Sequence, residues 1–257
     1  MNQDEPILRT KLHIPPPLPR SVTRYRLIER LGAGLARTPA VTLLAAPAGF
    51  GKTVLLTQWL QQLANKQQST KKSRGSESTY RITWLSLDET DNDPVRFLTY
   101  LVVALQTVWP EYAHTILPVL QASRHPNIEG LLVALINELT TVEERLVLVL
   151  DDYQVIKTQP VHDSLNFLLE NLPTALHLVI STRTAPPIQL ARLRGHGLLT
   201  ELSATDLRFS PEETQDFVVN VADLLLPADD IDRLDQRIEG WPVGWQLAAL
   251  SLRNRSS

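Results

Sequence analysis

APAGFGKT, residues 46–53, lies between the apolar run VTLLAA (41–46) and a stretch whose Leu55, Leu56, Trp59, Leu60 and Leu63 share one helical stripe. An uninterrupted aliphatic run of that length reads as a buried parallel strand. The segment is therefore strand, glycine-rich loop and helix. Glycines at 49 and 51 allow the amides of Gly49, Phe50, Gly51 and Lys52 to turn inward around an anion, with Ala48 and Val54 flanking them. The helix N-terminus adds its partial positive charge. Lys52 supplies a cation for β and γ phosphates, and the Thr53 hydroxyl is placed to ligate magnesium. Ala46 stands where the usual pattern has its first glycine, but the two glycines nearest the phosphate are intact. The competing reading is a chance Gly-Lys-Thr turn, which the strand–loop–helix context disfavours.

A magnesium phosphate site also needs a carboxylate. RLVLVL (145–150) is a second aliphatic strand, and it ends on Asp151-Asp152. Asp151 is the expected magnesium ligand, and Asp152 stands where a base or water-orienting group serves phosphoryl transfer. The bland alternative is an acidic pair capping a strand in a polar turn. RITWLSL (81–87), lying between the two motifs, points to a sheet with an extra strand between them. Arg183 follows LHLVIST (176–182) at the carboxyl edge of the sheet, where open α/β sheets bind ligands. From position alone it is either a γ-phosphate contact or a surface arginine.

Other chemistries find no support. Absence of cysteine excludes disulfides, thiolate catalysis and Cys-based zinc sites. The six histidines show no metal-ligand spacing, and the five tryptophans fall mostly at core positions. With 43% hydrophobic and 21% charged residues over 257 positions, the chain is globular in composition. A net charge of −3 exerts no general pull on nucleic acid. The first forty residues lean basic, with Arg9, Lys11, Arg20, Arg24, Arg26, Arg30 and Arg37 against Asp4, Glu5 and Glu29, which is a phosphate-seeking arm or, more ordinarily, a solvated surface. No apolar run is long enough to cross a membrane, so the expected setting is cytoplasmic, without membrane contact.

Strands alternate with helices to about residue 209, and helices alone follow: 211–222, opened by the Ser210–Glu213 capping box, then 228–239 and 242–253. Alternation implies a parallel sheet covered on both faces. The expected division is 1–209 as a nucleotide-binding domain, with an extended Pro-rich arm at 1–23 and a mobile loop at 66–79, and 210–257 as a small helical lid.

On RTKLHIPP (9–16), VTRYRLIERL (22–31), APAGFGKT, WLSLDETDNDPVRFLTYLV (84–102), LVLDDYQVI (148–156), LVISTRTAPP (178–187) and EGWPVGWQLAAL (239–250), the chain resembles the STAND class of P-loop NTPases. It is most similar to the maltose-regulon-activator-like branch of LuxR-type transcriptional regulators. The resemblance implies a switch: ADP holds a closed monomer, and ATP with an inducer permits self-association of the full-length protein. It places Val22 and Arg24 against the adenine, Pro242 as the proline closing over it, and Arg183 as a sensor arginine. DNA binding would rest with a C-terminal domain outside this chain, which reads as the N-terminal piece of a longer regulator or a truncated gene product. The competing function is a constitutive metabolic or motor-type ATPase.

Overall fold

The computed structural model describes residues 7–37, 40–72, 80–123 and 125–255. Five strands form one parallel sheet: β1 (Ala40–Ala45), β2 (Tyr80–Ser86), β3 (Arg145–Asp151), β4 (Leu176–Thr182) and β5 (Leu199–Ser203), in the order β2-β3-β4-β1-β5. The strand standing between β1 and β3 is thus β4, which follows the aspartate pair in sequence. The extra strand expected between the two motifs is therefore present, and the 81–87 run itself lies at the edge, paired only with β3 among the described strands.

The aliphatic strands are two-sided, and their parity decides which side each residue serves. On β3, Leu146, Leu148 and Leu150 enter a large core with α3 (Pro94–Gln106), α4 (Ile116–Ala122), α5 (Ile128–Thr140) and α6 (Gln159–Glu170). Val147 and Val149 enter the opposite core, with α1 (Tyr25–Leu35) and α2 (Lys52–Lys72). Asp151 continues the odd series, so its side chain falls on the α2 side of the sheet.

Two expectations change. Helix α2 continues to Lys72, through residues read as the start of a loop at Lys66. Gln and Lys sustain a helix by propensity without an apolar stripe; residues 73–79 of that loop lie outside the described set. The arm is also not uniformly extended. Arg9–Leu12 forms a 3₁₀ turn, because Lys11 and Leu12 are drawn inside, the Lys11 ammonium ion-pairing with buried Asp91 and with Asp88. Residues 1–6 are outside the described set.

Past α7 (Ala191–Gly195) and β5, the chain forms α8 (Pro211–Asp216), a π-helical turn (Phe217–Val221), α9 (Ala228–Ile238) and α10 (Pro242–Arg255). These surround a third, smaller core of Phe217, Val218, Ala222, Ile231, Trp245 and Ala249, which Val22 of the N-terminal arm completes. Arg24, Arg26 and Arg30 of the basic N-terminal region are absorbed near this junction. The Glu213 carboxylate accepts from Arg24, from Arg26 through both oxygens, and from the Ser210 amide, while Arg30 pairs with Asp206.

Candidate functional site

The loop after β1 has the backbone its glycines permit, with φ of +84° at Gly49 and +74° at Gly51. Ala48 is exposed on its outer turn, and the half-buried Phe50 packs on the α1/α2 core. Lys52, buried at the start of α2, donates its ammonium to the carbonyls of Ala46 (2.6 Å) and Pro47 (3.1 Å). That fixes the charge under the loop and uses two of its three protons. Burial is the main influence lowering the Lys52 pKa; Asp151 and Asp152 oppose it, and Arg183 reinforces it. The two aspartates, the lysine and the arginine therefore share one field.

One residue further along α2, Thr53 Oγ1 donates to Asp151 Oδ2 at 3.0 Å. Asp151 is 3% exposed, and its Oδ1 is buried with no hydrogen-bond partner. The Ser181 hydroxyl on β4 acts on it without meeting hydrogen-bond geometry. Burial raises the Asp151 pKa, with Asp152 adding to the rise and Ser181, Thr53 and the Asp152 amide opposing it. A buried carboxylate with one orphaned oxygen beside a hydroxyl is a hard oxygen donor set short of positive charge. It fits magnesium, which takes one or two protein oxygens and completes its shell with water and phosphate. Among the described residues no cluster of three or more His, Cys, Asp or Glu could hold a metal unaided.

Asp152 adopts the left-handed conformation (φ 59°, ψ 35°), uncommon for a residue other than glycine. This turns the chain sharply at the strand end and separates the direction of Asp152 from that of Asp151. Its Oδ1 accepts from Gln154 Nε2 at 2.7 Å, and Gln154 Oε1 accepts the Arg183 amide at 3.0 Å. Arg183 itself is exposed just past β4.

Val22, Arg24, Gly49, Gly51, Val54 and Pro242 all line one cavity of about 320 Å³ between the loop and the C-terminal helices, in the size range of small-molecule sites. Phe209, Phe217 and Leu250 supply further apolar wall. Arg24 is 4% exposed. One of its nitrogens bonds Glu213 and the Arg208 carbonyl, while Nε and Nη1 are buried without a partner. Burial is the largest influence lowering its pKa. The structure thus brings Val22, Arg24, Gly49, Gly51, Val54 and Pro242 to one cavity, while Lys52, Thr53, Asp151, Asp152 and Arg183 are linked by contacts and charge at the strand ends and do not line it.

Sequence reasoning missed several contributors. Trp241 is 37% exposed, unlike the other four tryptophans, and it covers Gly49: a Cβ there would meet its indole nitrogen at 2.8 Å and Val243 Cβ at 2.9 Å. Gln58 on α2 donates to Ser21 Oγ and the Val22 carbonyl, tying the arm to the phosphate-loop helix. Neither residue carries a local signal of these contacts. Gly240, before Trp241, has φ +66°, and a Cβ would stand 2.7 Å from the Phe209 carbonyl oxygen, so the turn into α10 admits glycine alone without rearrangement.

The sequence profile of the NACHT domain matches residues 40–222. Among curated proteins, the HTH-type transcriptional regulator MalT of Yersinia enterocolitica is 34% identical over 251 residues, covering 98% of this chain and 26% of that protein. The MalT of Yersinia pestis matches with the same identity and the same shares. This chain spans about a quarter of the length of these relatives. Among solved structures, the Aeropyrum pernix ORC2 protein in ADPNP–ADP complexes aligns with a TM-score of 0.55 at 15% identity, covering 94% of this chain and 63% of that one. Cdc6p of Pyrobaculum aerophilum aligns at 0.52 and 16%, covering 95% and 65%. At such identities these likenesses show the fold alone.

Proposed function

The chain belongs to the NACHT family of P-loop NTPase domains, and on that premise we propose that it is the nucleotide-operated switch module of a longer transcriptional regulator. It binds ATP or ADP with magnesium, and it hydrolyses ATP slowly to reset the switch. The observation carrying this reading is the hydrogen bond from the Val243 amide to the Gly49 carbonyl, 3.2 Å, which ties the C-terminal helices to the phosphate loop itself. A ligand filling the crevice touches both, so its phosphate end and its base end report on one arrangement of the two parts. The curated relatives' name as HTH-type transcriptional regulators supports the regulatory setting. No helix among the described residues is long and apolar enough to cross a membrane.

The residues have distinct tasks. Loop amides and Lys52 bind the β and γ phosphates. Thr53 and Asp151 hold magnesium, which, when bound, neutralises charge on the β and γ oxygens. Asp152 accepts a proton from, or orients, the attacking water, and Arg183 meets the γ-phosphate. Val22 and Pro242 sandwich the adenine. Proline suits that contact because it has no amide left to satisfy. Residues 210–257 act as a lid, closed over ADP; ATP permits self-association of the full-length protein, and DNA is read by a part outside this chain.

The test is to denature freshly purified protein, identify the released nucleotide by chromatography, and measure turnover. Stoichiometric adenine nucleotide with turnover below about one per minute supports a switch. Rapid steady turnover by the isolated chain would instead indicate an ATPase whose purpose is hydrolysis.

A further inference from the structure

Gln154 makes two opposed hydrogen bonds with one side-chain amide. Its nitrogen donates to Asp152 Oδ1 at 2.7 Å, and its oxygen accepts from the Arg183 backbone at 3.0 Å. The partners fix the orientation of the amide chemically: a backbone N–H only donates, and an ionised carboxylate only accepts. The bridge spans two strand ends, since Asp152 follows β3 and Arg183 follows β4.

The residue making the bridge is itself held. Gln154 sits in the 3₁₀ turn Tyr153–Val155. Tyr153 is buried, and its hydroxyl lies 2.8 Å from His162 Nδ1 on α6. On the other side, Asn92 Nδ2 donates to the Val155 carbonyl at 2.9 Å. The turn therefore has little freedom, and neither does the side chain it presents. Asp152, in its left-handed conformation, leans on that side chain.

We infer that Gln154 is a positioning residue that sets Asp152 relative to the Arg183 backbone at the end of β4, so that the acid is held in one direction toward the terminal phosphate. This rests on the hydrolysis reading above, and it assigns to a residue outside the phosphate and magnesium contacts the geometry of the water-activating step. Holding one Asp152 oxygen fixes the direction of the other. An enzyme that depends on such geometry loses rate, not substrate affinity, when the support is removed.

The experiment uses two variants of the whole chain, with Asp152→Asn as control. Gln154→Met matches the length and abolishes both bonds; Gln154→Glu keeps an acceptor for the Arg183 amide but removes the donor to Asp152. Amide hydrogen exchange at Arg183, measured without nucleotide, should accelerate in Gln154→Met and stay slow in Gln154→Glu. Single-turnover hydrolysis at saturating ATP should fall about tenfold or more in both, with ADP affinity within about twofold of the parent and unchanged melting temperature. Parent-like hydrolysis in either variant overturns the inference, as does a loss that tracks melting temperature or affinity. Should Asp152→Asn itself hydrolyse normally, the enclosing reading fails; a defective Asp152→Asn with parent-like Gln154 variants removes this inference alone.

Discussion

The Gly49 carbonyl accepts the Val243 amide at 3.2 Å, and the Trp241 indole covers the same glycine. The phosphate loop is thereby joined directly to the first turn of α10, almost two hundred residues later in the chain. Gly49→Ala must disturb this junction, because φ is +84° and the new methyl would lie 2.8 Å from the indole nitrogen. We expect a reduction on the order of 1–3 kcal/mol in unfolding free energy, together with faster proteolysis within 211–257. In the parent, ADP should slow that proteolysis. A cleavage rate indifferent both to ADP and to Gly49→Ala would show that the C-terminal helices merely pack against the sheet.

Lys52→Ala removes a buried ammonium set between the carbonyls of Ala46 and Pro47, at the proposed phosphate position. Affinity for adenine nucleotide should drop by on the order of 2–4 kcal/mol, because the desolvated phosphate is deprived of a charge-assisted hydrogen bond. Calorimetry giving equal affinity for variant and parent would remove the phosphate site from this loop.

The two aspartates should separate experimentally. Asp151→Asn halves the oxygen donors beside Thr53 and should weaken the magnesium-dependent part of nucleotide binding. Asp152→Asn should leave ATP binding intact and cut single-turnover hydrolysis at least about a hundredfold. Normal hydrolysis by both variants would reduce the pair to a structural turn.

The strand and loop motifs of the candidate site were legible because strand and loop chemistry are local. Aliphatic runs ending on Asp151 and at APAGFGKT announce buried strands, and only glycine serves at positions 49 and 51. What remained hidden is tertiary. Helix α4 was missed because Pro118 interrupts its short pattern, and the end of α2 because its polar sequence carries no apolar period. The place of β4 between β1 and β3 follows from crossovers, which sequence order does not reveal. Gln154 carries no motif, and its two bonds exist only because β3 and β4 end side by side. Trp241 looks like any other core tryptophan until the C-terminal helices are packed against the loop.

His177 gives a pH prediction independent of the site. It is buried on β4, 2.9 Å from Thr42 Oγ1 and near the Trp59 ring, and burial holds its pKa down at about 4. The unfolded chain, near 6.5, binds the proton first, so this group's contribution is complete above pH 6.5 and is lost as pH falls toward 4. That amounts to about 2 kcal/mol between pH 7 and pH 5. Urea unfolding should show His177→Gln losing less stability over that interval than the parent. Equal slopes would assign acid sensitivity to other groups.

The last prediction concerns Glu213, the point where the arm and the C-terminal helices meet. Its carboxylate, nearly buried, accepts from Arg24 at 3.2 Å, from Arg26 at 3.0 and 3.1 Å, and from the Ser210 amide at 3.0 Å. Arg24 is buried with two nitrogens already lacking partners, so it depends on Glu213 for compensating charge. Arg26 is 41% exposed at its side chain and can turn to water, where its own contribution is small. Glu213→Gln therefore leaves Arg24 as a buried, uncompensated cation, and should cost about 3 kcal/mol of unfolding free energy. The cost is conditional on that cation. Paired with Arg24→Met, the same substitution should recover most of the stability, because an apolar residue of similar length demands no counter-charge. Since Arg24 and Val22 wall the cavity, Glu213→Gln should also weaken ADP binding, and the double variant should restore stability without restoring affinity. Chemical denaturation and calorimetry on the four proteins of this cycle decide it. Additive effects would mean that the two residues do not act together, and that the arm is held at the lid by its apolar packing alone.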